Sequence, residues 1–528
     1  MKLSRREFTK LAALGGITLS LSRATQAQVP TFQARETLPG QQGWNPSASK
    51  TGRIDGPAKV TGAKLYASDF RAGDLPGWPS TTAHALLIRA ADAAHVFTGI
   101  DLSRLPEAIR PSLVVMASDL KEAGIRVPPF YEDDLLCAVG QTPLYLGQPL
   151  AMLIFERFDV FDQARLALRD MPHVTYGAET GPLHRPPYGS YRFVRVAGDR
   201  PDGPDVYSAL QEGWIVPRRF RENDAPVWMA AGQQGEAGAR ATFHAERIRE
   251  ELSAARSDWL VLDRSFETQS IDPMFLEPEA GLGWYNAGSK GLELVIGVQS
   301  PQEALESLAY SLGEVRAELK PEHIHTHFAY VGGGFGGRDH TPFPLYVALA
   351  AMFLPNRPVR LANNRYEQFQ SGIKRHAYQF RSRIGVDRTT GRIQAYASDQ
   401  VLDGGGSANY SASVAAVGAA GSIGIYDIPK VDVATTAIHS RGVPAGSMRG
   451  YGTNQTMTAL EVLIDEAARE LSIGPIEFRR RNALPTGGRT MVGNPLAGVT
   501  RTVEVLDRLE AHAIWRDREA EKGRARPG

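Results

Sequence analysis

Apolar residues fall in short dense runs in some stretches of the chain and at helical spacing in others. HALLIRA (84–90) and PLAMLIFE (149–156) are nearly continuous apolar runs, the pattern of buried strands. LELVIGVQ (292–299) and IHTHFAYV (324–331) read as two more. DVFDQARLALRD (159–170) predicts a helix. A second is predicted from Ser300, with Ser300 as N-cap, Pro301 at its first position and Glu303 completing a capping box. Leu305, Leu308, Ala309 and Leu312 form its apolar stripe, and Gly313 ends it. Thr341–Pro342 predicts the start of a helix through LYVALAAMFL. TALEVLIDEAAREL (458–471) predicts another, with Leu460, Leu463, Ile464, Ala467 and Leu471 on one face and Gly474–Pro475 as its stop.

At 528 residues the chain is too long for a single core. Its composition, 42% hydrophobic and 22% charged, is that of an ordinary globular protein, and a net charge of +1 gives no basic field for nucleic acid. One cysteine, Cys137, excludes an internal disulfide and a four-cysteine Fe–S cluster, and reads as a small buried side chain. Residues 1–27 have a charged start with Arg5–Arg6, a short apolar run and small residues up to Ala27, the layout of a twin-arginine signal peptide. That run is too short to cross a bilayer, and no other apolar run is long enough, so no transmembrane segment is expected. The signal predicts a periplasmic protein exported already folded, as a chain that takes up a complex cofactor in the cytoplasm would need to be. Residues 1–27 carry a net +4, which leaves −3 on the remainder. Residues 28–50 read as a polar linker, 178–235 as an extended Pro/Gly/Arg/Tyr-rich connecting segment, and 516–528 as a polar tail without a large apolar residue.

The chemistry concentrates in YVGGGFGGRDH (330–340), where five of six consecutive residues are glycine. Gly332, Gly334 and Gly337 satisfy G-x-G-x-x-G, but the context is wrong for a dinucleotide fold. The preceding strand carries His323, His325 and His327 on alternate positions, the next helix signal waits until Thr341, and no carboxylate follows about 20 residues on. Arg338–Asp339 after Gly337 also breaks the Walker pattern. The loop therefore offers bare N–H groups to an anionic or oxo-bearing ligand, or is a tight turn packed closely on other backbone. The three histidines form either a polar strand face or part of a metal site, without the further ligands a metal site needs. Gln299 sits between a strand end and a helix start, with an amide that can donate and accept.

GGGFGGR resembles the glycine–phenylalanine loop of the molybdenum hydroxylases, the xanthine dehydrogenase and aldehyde oxidoreductase family. RIDGPAKVTGAKLYASD (53–69), YLGQPLAMLI (145–154), FLEPEAGLGWY (275–285), GVQSPQ (297–302) and the stretch from SMRGYGTNQ to RRRNAL (447–484) resemble further signatures of that family in the same order. The resemblance implies an α+β chain with an α/β hammerhead domain (51–177) followed by a first molybdopterin-binding domain (236–515). It implies a molybdenum–molybdopterin cofactor in the cytosine dinucleotide form, with the metal held through the pterin and no protein metal ligand. Its chemistry is oxidative hydroxylation of an aldehyde or N-heteroaromatic carbon with water as oxygen source. Gln299, Gly334, Phe335, Gly336, Arg449 and Gly450 match cofactor-contacting positions. Asp339 and Tyr451 match substrate-binding positions, Tyr451 alternatively packing in the core. Asp339 stands where xanthine-type members carry glutamate, and its shorter side chain argues against purine recognition. Glu277 reads as a local hydrogen-bonding residue.

The family's general base lies in a Gly-x-Gly-Glu stretch of a second molybdopterin-binding domain. No such stretch follows residue 340, so both that glutamate and that domain are expected to be absent from this chain. The expected partners are a subunit carrying the second half, an Fe–S subunit, FAD or haem on partner subunits, and a small-molecule substrate. The alternatives are a truncated, non-catalytic remnant and, on the literal glycine match, a nucleotide-dependent dehydrogenase.

Overall fold

The computed structural model describes residues 55–521, apart from 129–130, 132–133, 171, 183–184, 200–205, 210–213, 216–227, 230–235, 314–320 and 494. The expected signal peptide, the linker at 28–50 and the last seven residues of the tail lie outside the described residues. Among the described residues no helix is long and apolar enough to cross a membrane.

Pro149–Phe155 is buried at every position, so it must lie inside a sheet covered on both faces. It does. Seven strands run in the order Ile324–Phe328, Gly291–Ile296, Ala280–Asn286, Val359–Ala362, Ala83–Arg89, Pro149–Phe155, Leu113–Met116. The expected division between 51–177 and 236–515 is thus not a division between sheets. Ala83–Arg89 pairs in parallel with Val359–Ala362, which joins strands from the two stretches into one layer. The Phe343–Phe353 helix is apolar all round and buried from Phe343 to Met352, as its sequence requires. It lies so close to Ala280–Asn286 that a Cβ on Gly281 would stand 2.7 Å from Val347.

A second sheet has the order Trp259–Thr268, Ala377–Asp387, Ile393–Asp403, Lys430–Ile438, Gly189–Val196, Val206–Ala209. The connecting segment therefore supplies two strands to this sheet. The Glu236–Ser253 helix covers one face through Ala241, Ala245, Ile248 and Leu252. The Thr453–Glu470 helix covers the other through Leu460, Leu463, Ile464 and Ala467, the stripe expected from the sequence.

Several boundaries differ from the sequence pattern for local reasons. The Thr453–Glu470 helix begins five residues before the expected start at Thr458, because its polar first turn is partly buried: Gln455 donates to the His376 carbonyl at 3.1 Å. Pro475 starts the helix Pro475–Asn482 instead of ending one, the position its fixed φ suits. His323 lies in a short 3-10 turn, Pro321–His323, outside the strand. In the tail, Arg518–Glu521 forms a single helical turn.

Two predictions follow from this packing. Leu294 is fully buried beneath the Phe343–Phe353 helix, so Leu294→Ala is expected to cost about 2–5 kcal/mol, read by denaturant unfolding. Acid should also destabilise the fold. Burial, then the Arg375 charge, holds His376 down at about 3 against 6.5, and burial, then Arg185, does the same to His439. Burial, with Arg360 and Arg357, takes His84 to about 4. Once unfolded, each imidazole takes up a proton near its ordinary value. The stability they contribute is therefore present above pH 6.5 and declines as pH falls toward their folded values. Thermal midpoints measured at about pH 7 and pH 5 should show the fall.

Candidate functional site

The glycine loop leaves the Ile324–Phe328 strand and ends at a buried ion pair. Arg338 and Glu277, with side chains 0% and 7% exposed, meet at 3.1 Å. The same carboxylate accepts from Gly332 N–H at 2.9 Å, where the loop begins. Arg338 donates to the carbonyls of Gly297, at 3.2 Å, and Glu277, and lies over the Phe275 ring. One pair thus grips both ends of the loop. Glu277 is the local hydrogen-bonding residue the sequence pointed to.

The glycines answer first to the chain itself. A Cβ on Gly332 would stand 2.4 Å from Glu277 Cβ, one on Gly334 2.3 Å from Gln299 Oε1, and one on Gly336 2.5 Å from the Ser447 carbonyl. Gly336 also holds φ at +101°, where glycine is at ease and other residues are strained. The tight-turn reading therefore accounts for the missing side chains. The N–H groups give the ligand reading its support.

Gln299 Oε1 accepts from the N–H groups of Gly336 (2.8 Å) and Arg338 (3.3 Å). This fixes the amide's orientation: its oxygen is taken, and the NH₂ of the exposed side chain is the end left outward. The N–H groups of Gly333, Gly334 and Phe335 donate to nothing among the described residues. Arg449 N–H donates to the Phe335 carbonyl at 2.8 Å, and its own carbonyl accepts from Arg375 at 2.8 Å. Its exposed guanidinium has no partner among the described residues. Gly450, φ +97°, turns the chain into the Thr453–Glu470 helix, and its missing Cβ would lie 1.7 Å from Asn454 Oδ1.

Asp339 is a hub. Its carboxylate accepts from Ser300, from Ser447 (3.0 Å) and from His340 Nδ1 (3.0 Å), and Tyr451 lies at 3.5 Å. Burial pushes its pKa up, but the hydrogen bonds from His340, Ser300 and Ser447 outweigh it and hold the group below the usual carboxylate range. Ser300 does not cap its helix, because its hydroxyl turns to Asp339. Thr341 donates to Glu279 (2.8 Å) while its oxygen accepts from Phe343 N–H (3.3 Å), and Pro342 takes the cap position. Tyr410 reaches the His340 ring at 2.8 Å. Phe335, His340 and Tyr451 all hold positive φ, at 54°, 51° and 43°, a strain that well-held sites retain.

No group of three or more His, Cys, Asp and Glu among the described residues is placed to hold a metal, and His327 faces Glu293 at 3.6 Å. The helix after the loop starts at Phe343, six residues beyond Gly337, so the loop does not open a helix as a dinucleotide fingerprint does. What remains is a concentration of donors without acceptors: an amide NH₂, a guanidinium and three backbone N–H groups. That set fits a group rich in oxo and phosphate oxygens.

Residues 236–483 match the molybdopterin cofactor-binding domain family. The chain is thus similar to the molybdopterin-binding subunits of the molybdenum hydroxylases. It is 26% identical over 306 residues to the nicotinate dehydrogenase large molybdopterin subunit of Eubacterium barkeri, covering 57% of this chain and 68% of that one. It is 26% identical over 471 residues to the nicotine 6-hydroxylase large subunit of Paenarthrobacter nicotinovorans, covering 85% of this chain and 50% of that one. Quinoline 2-oxidoreductase from Pseudomonas putida 86 shares the fold, with a TM-score of 0.64 at 22% identity over 89% of this chain and 55% of that one. The chain thus spans about half the length of two of these three molybdenum hydroxylases.

The structure brings Gln299, Gly334, Phe335, Gly336 and Arg449 to one place, with Gly450, Asp339 and Tyr451 beside them. Sequence reasoning passed over Arg338, Ser300, Ser447, His340 and Tyr410. Ser300 resembled an ordinary cap, and the others join the site through contacts that no short-range pattern encodes. Glu277→Gln should leave the Arg338 charge buried and unpaired and cost about 3–5 kcal/mol, measured by denaturant unfolding.

Proposed function

We propose that the chain is the cofactor-binding half of an exported molybdenum hydroxylase. The observation that carries this reading is the donor set held by the Glu277–Arg338 clasp: Gln299 NH₂, the Arg449 guanidinium and the N–H groups of Gly333, Gly334 and Phe335. When bound there, a molybdenum–pterin group in its cytosine dinucleotide form supplies two-electron oxidation of carbon with water as oxygen source. Gln299 and Arg449 hold and orient its oxygens. Their donors are set before the reaction, so they stabilise charge as it develops on oxygen without reorganising. Phe335, its backbone strained and its ring half exposed, walls the site and keeps water from the reacting carbon.

Neither carboxylate bordering this donor set is available as a general base, since Glu277 is paired with Arg338 and Asp339 is fully engaged. A glutamate on a second polypeptide, carrying the second molybdopterin-binding domain, supplies it. The N-terminal strands fill the place of the hammerhead domain. Electrons leave to an Fe–S subunit, with FAD or haem beyond it. The twin-arginine layout of residues 1–27 supports export of the loaded protein to the periplasm. Aldehydes and N-heteroaromatic compounds are the substrate classes, and the names of the nicotinate and nicotine relatives favour the second.

Purification of the full assembly should give about one molybdenum per complex by elemental analysis, with a partner polypeptide carrying Gly-x-Gly-Glu. Gln299→Ala and Arg449→Met should each lower kcat by about 10²–10³-fold, as loss of one preorganised donor does, with the fold intact by circular dichroism. An active assembly without molybdenum would refute the reading.

A further inference from the structure

Against the backbone of Arg449 lies a second guanidinium, which the site described so far does not use. Arg375 stands two residues before the Ala377–Asp387 strand and is only 9% exposed. Its Nη2 donates to the Arg449 carbonyl at 2.8 Å, and its Nη1 lies 3.5 Å from Gln455 Oε1. Both acceptors are neutral. No carboxylate pairs with Arg375 among the described residues. Asp272, next to its backbone partner Ile271, is taken by Lys374 at 2.7 Å. Arginine does not shed its proton in proteins, so the charge stays. Burial pulls its pKa down, and no acid acts to restore it. The charge is felt next door, where it helps to keep buried His376 neutral. The position is unfavourable in a further way. Gln455 stands in the first turn of the 18-residue Thr453–Glu470 helix, whose N-cap is Gly452, so no side chain caps that end. The N-terminal end of a helix is its positive end and repels a cation. A cation that is buried, lacks an acid and lies against a helix N-terminus breaks three local rules at once, and such conflicts gather at functional sites. An anion bound at Arg449 would turn all three into attraction.

We propose that Arg375 is a positioning residue of this site: it holds the turn that carries Arg449 and supplies an uncompensated positive charge that favours an anion rich in phosphate or oxo oxygens. It acts through Arg449 and through its field, without touching the anion. The inference rests on the molybdenum hydroxylase reading for that anion being the molybdenum–pterin group.

The test uses the full chain purified without molybdenum, the purified assembly, and inorganic pyrophosphate as the anion. Calorimetry should show pyrophosphate binding to the full chain, weakened about tenfold in Arg375→Met and rescued in Arg375→Lys, which keeps the charge and a donor. Arg375→Met should not lower the thermal midpoint of the metal-free chain, because nothing in the fold balances the charge it removes. No binding by wild type, equal binding by Arg375→Met, or no rescue in Arg375→Lys would overturn the role of the charge. A lower midpoint in metal-free Arg375→Met would make Arg375 a brace of the fold and overturn the proposal as well. In the molybdenum-loaded assembly pyrophosphate should be excluded, and unchanged binding there would overturn the link to the cofactor. Elemental analysis of the same samples judges the molybdenum reading separately: a pyrophosphate affinity that depends on Arg375 stands even where no metal is found.

Discussion

The buried pair between Glu277 and Arg338 is the contact on which the rest of the site depends. Two charges taken out of water cost several kcal/mol each unless nearly all their hydrogen-bonding capacity is used. Here most of it is, and the groups that use it are the two ends of the glycine loop and the neighbouring strand ends. The pair holds a loop of five glycines, which has little side-chain packing of its own, in one conformation. Held in this way, the loop can spend its N–H groups on a ligand, since its shape does not rely on them.

The second requirement is that two sheets meet. Gln299 and the glycine loop follow strands of the seven-stranded sheet, while Arg449, Gly450 and Tyr451 enter the helix that covers the six-stranded one. Bonds across the seam include Arg449 N–H to the Phe335 carbonyl, Ser447 to Asp339 and Tyr410 to the His340 ring. Gly336 permits this approach, because any side chain there would collide with the Ser447 carbonyl. A seam of this kind divides the site between two layers, so residues more than a hundred positions apart in the chain meet in one place.

Polar residues that read as ordinary punctuation in the sequence turn out to serve this seam. Ser300 and Thr341 both stand where a helix cap belongs, and each gives its hydroxyl hydrogen to a carboxylate: Ser300 to Asp339, Thr341 to Glu279. Thr341 Oγ1 still accepts from Phe343 N–H at 3.3 Å, whereas the Ser300 side chain makes no capping bond. The Ser300 helix accepts that loss because Pro301 at its start already fixes the backbone there. A cap is worth about 1 kcal/mol, and a hydrogen bond to the charged, half-buried Asp339 carboxylate about 1.5–3, so at Ser300 the exchange is favourable.

The main strands, the apolar stripe of the Thr453–Glu470 helix and the buried helix after the glycine loop were legible in the sequence, because periodicity reports which faces leave water. The likeness to the molybdenum hydroxylases was legible too, through six ordered motifs. Tertiary structure alone decided that strands from 83–155 complete a sheet with strands from 280–362, since register between distant strands leaves no local mark. It also decided which way the Gln299 amide points, that Asp339 is filled by its own chain, and that the glycines avoid Glu277, Gln299 and Ser447. Those outcomes depend on hydrogen-bond partners brought together by packing, and a single hydroxyl or amide can turn either way until its neighbours are in place.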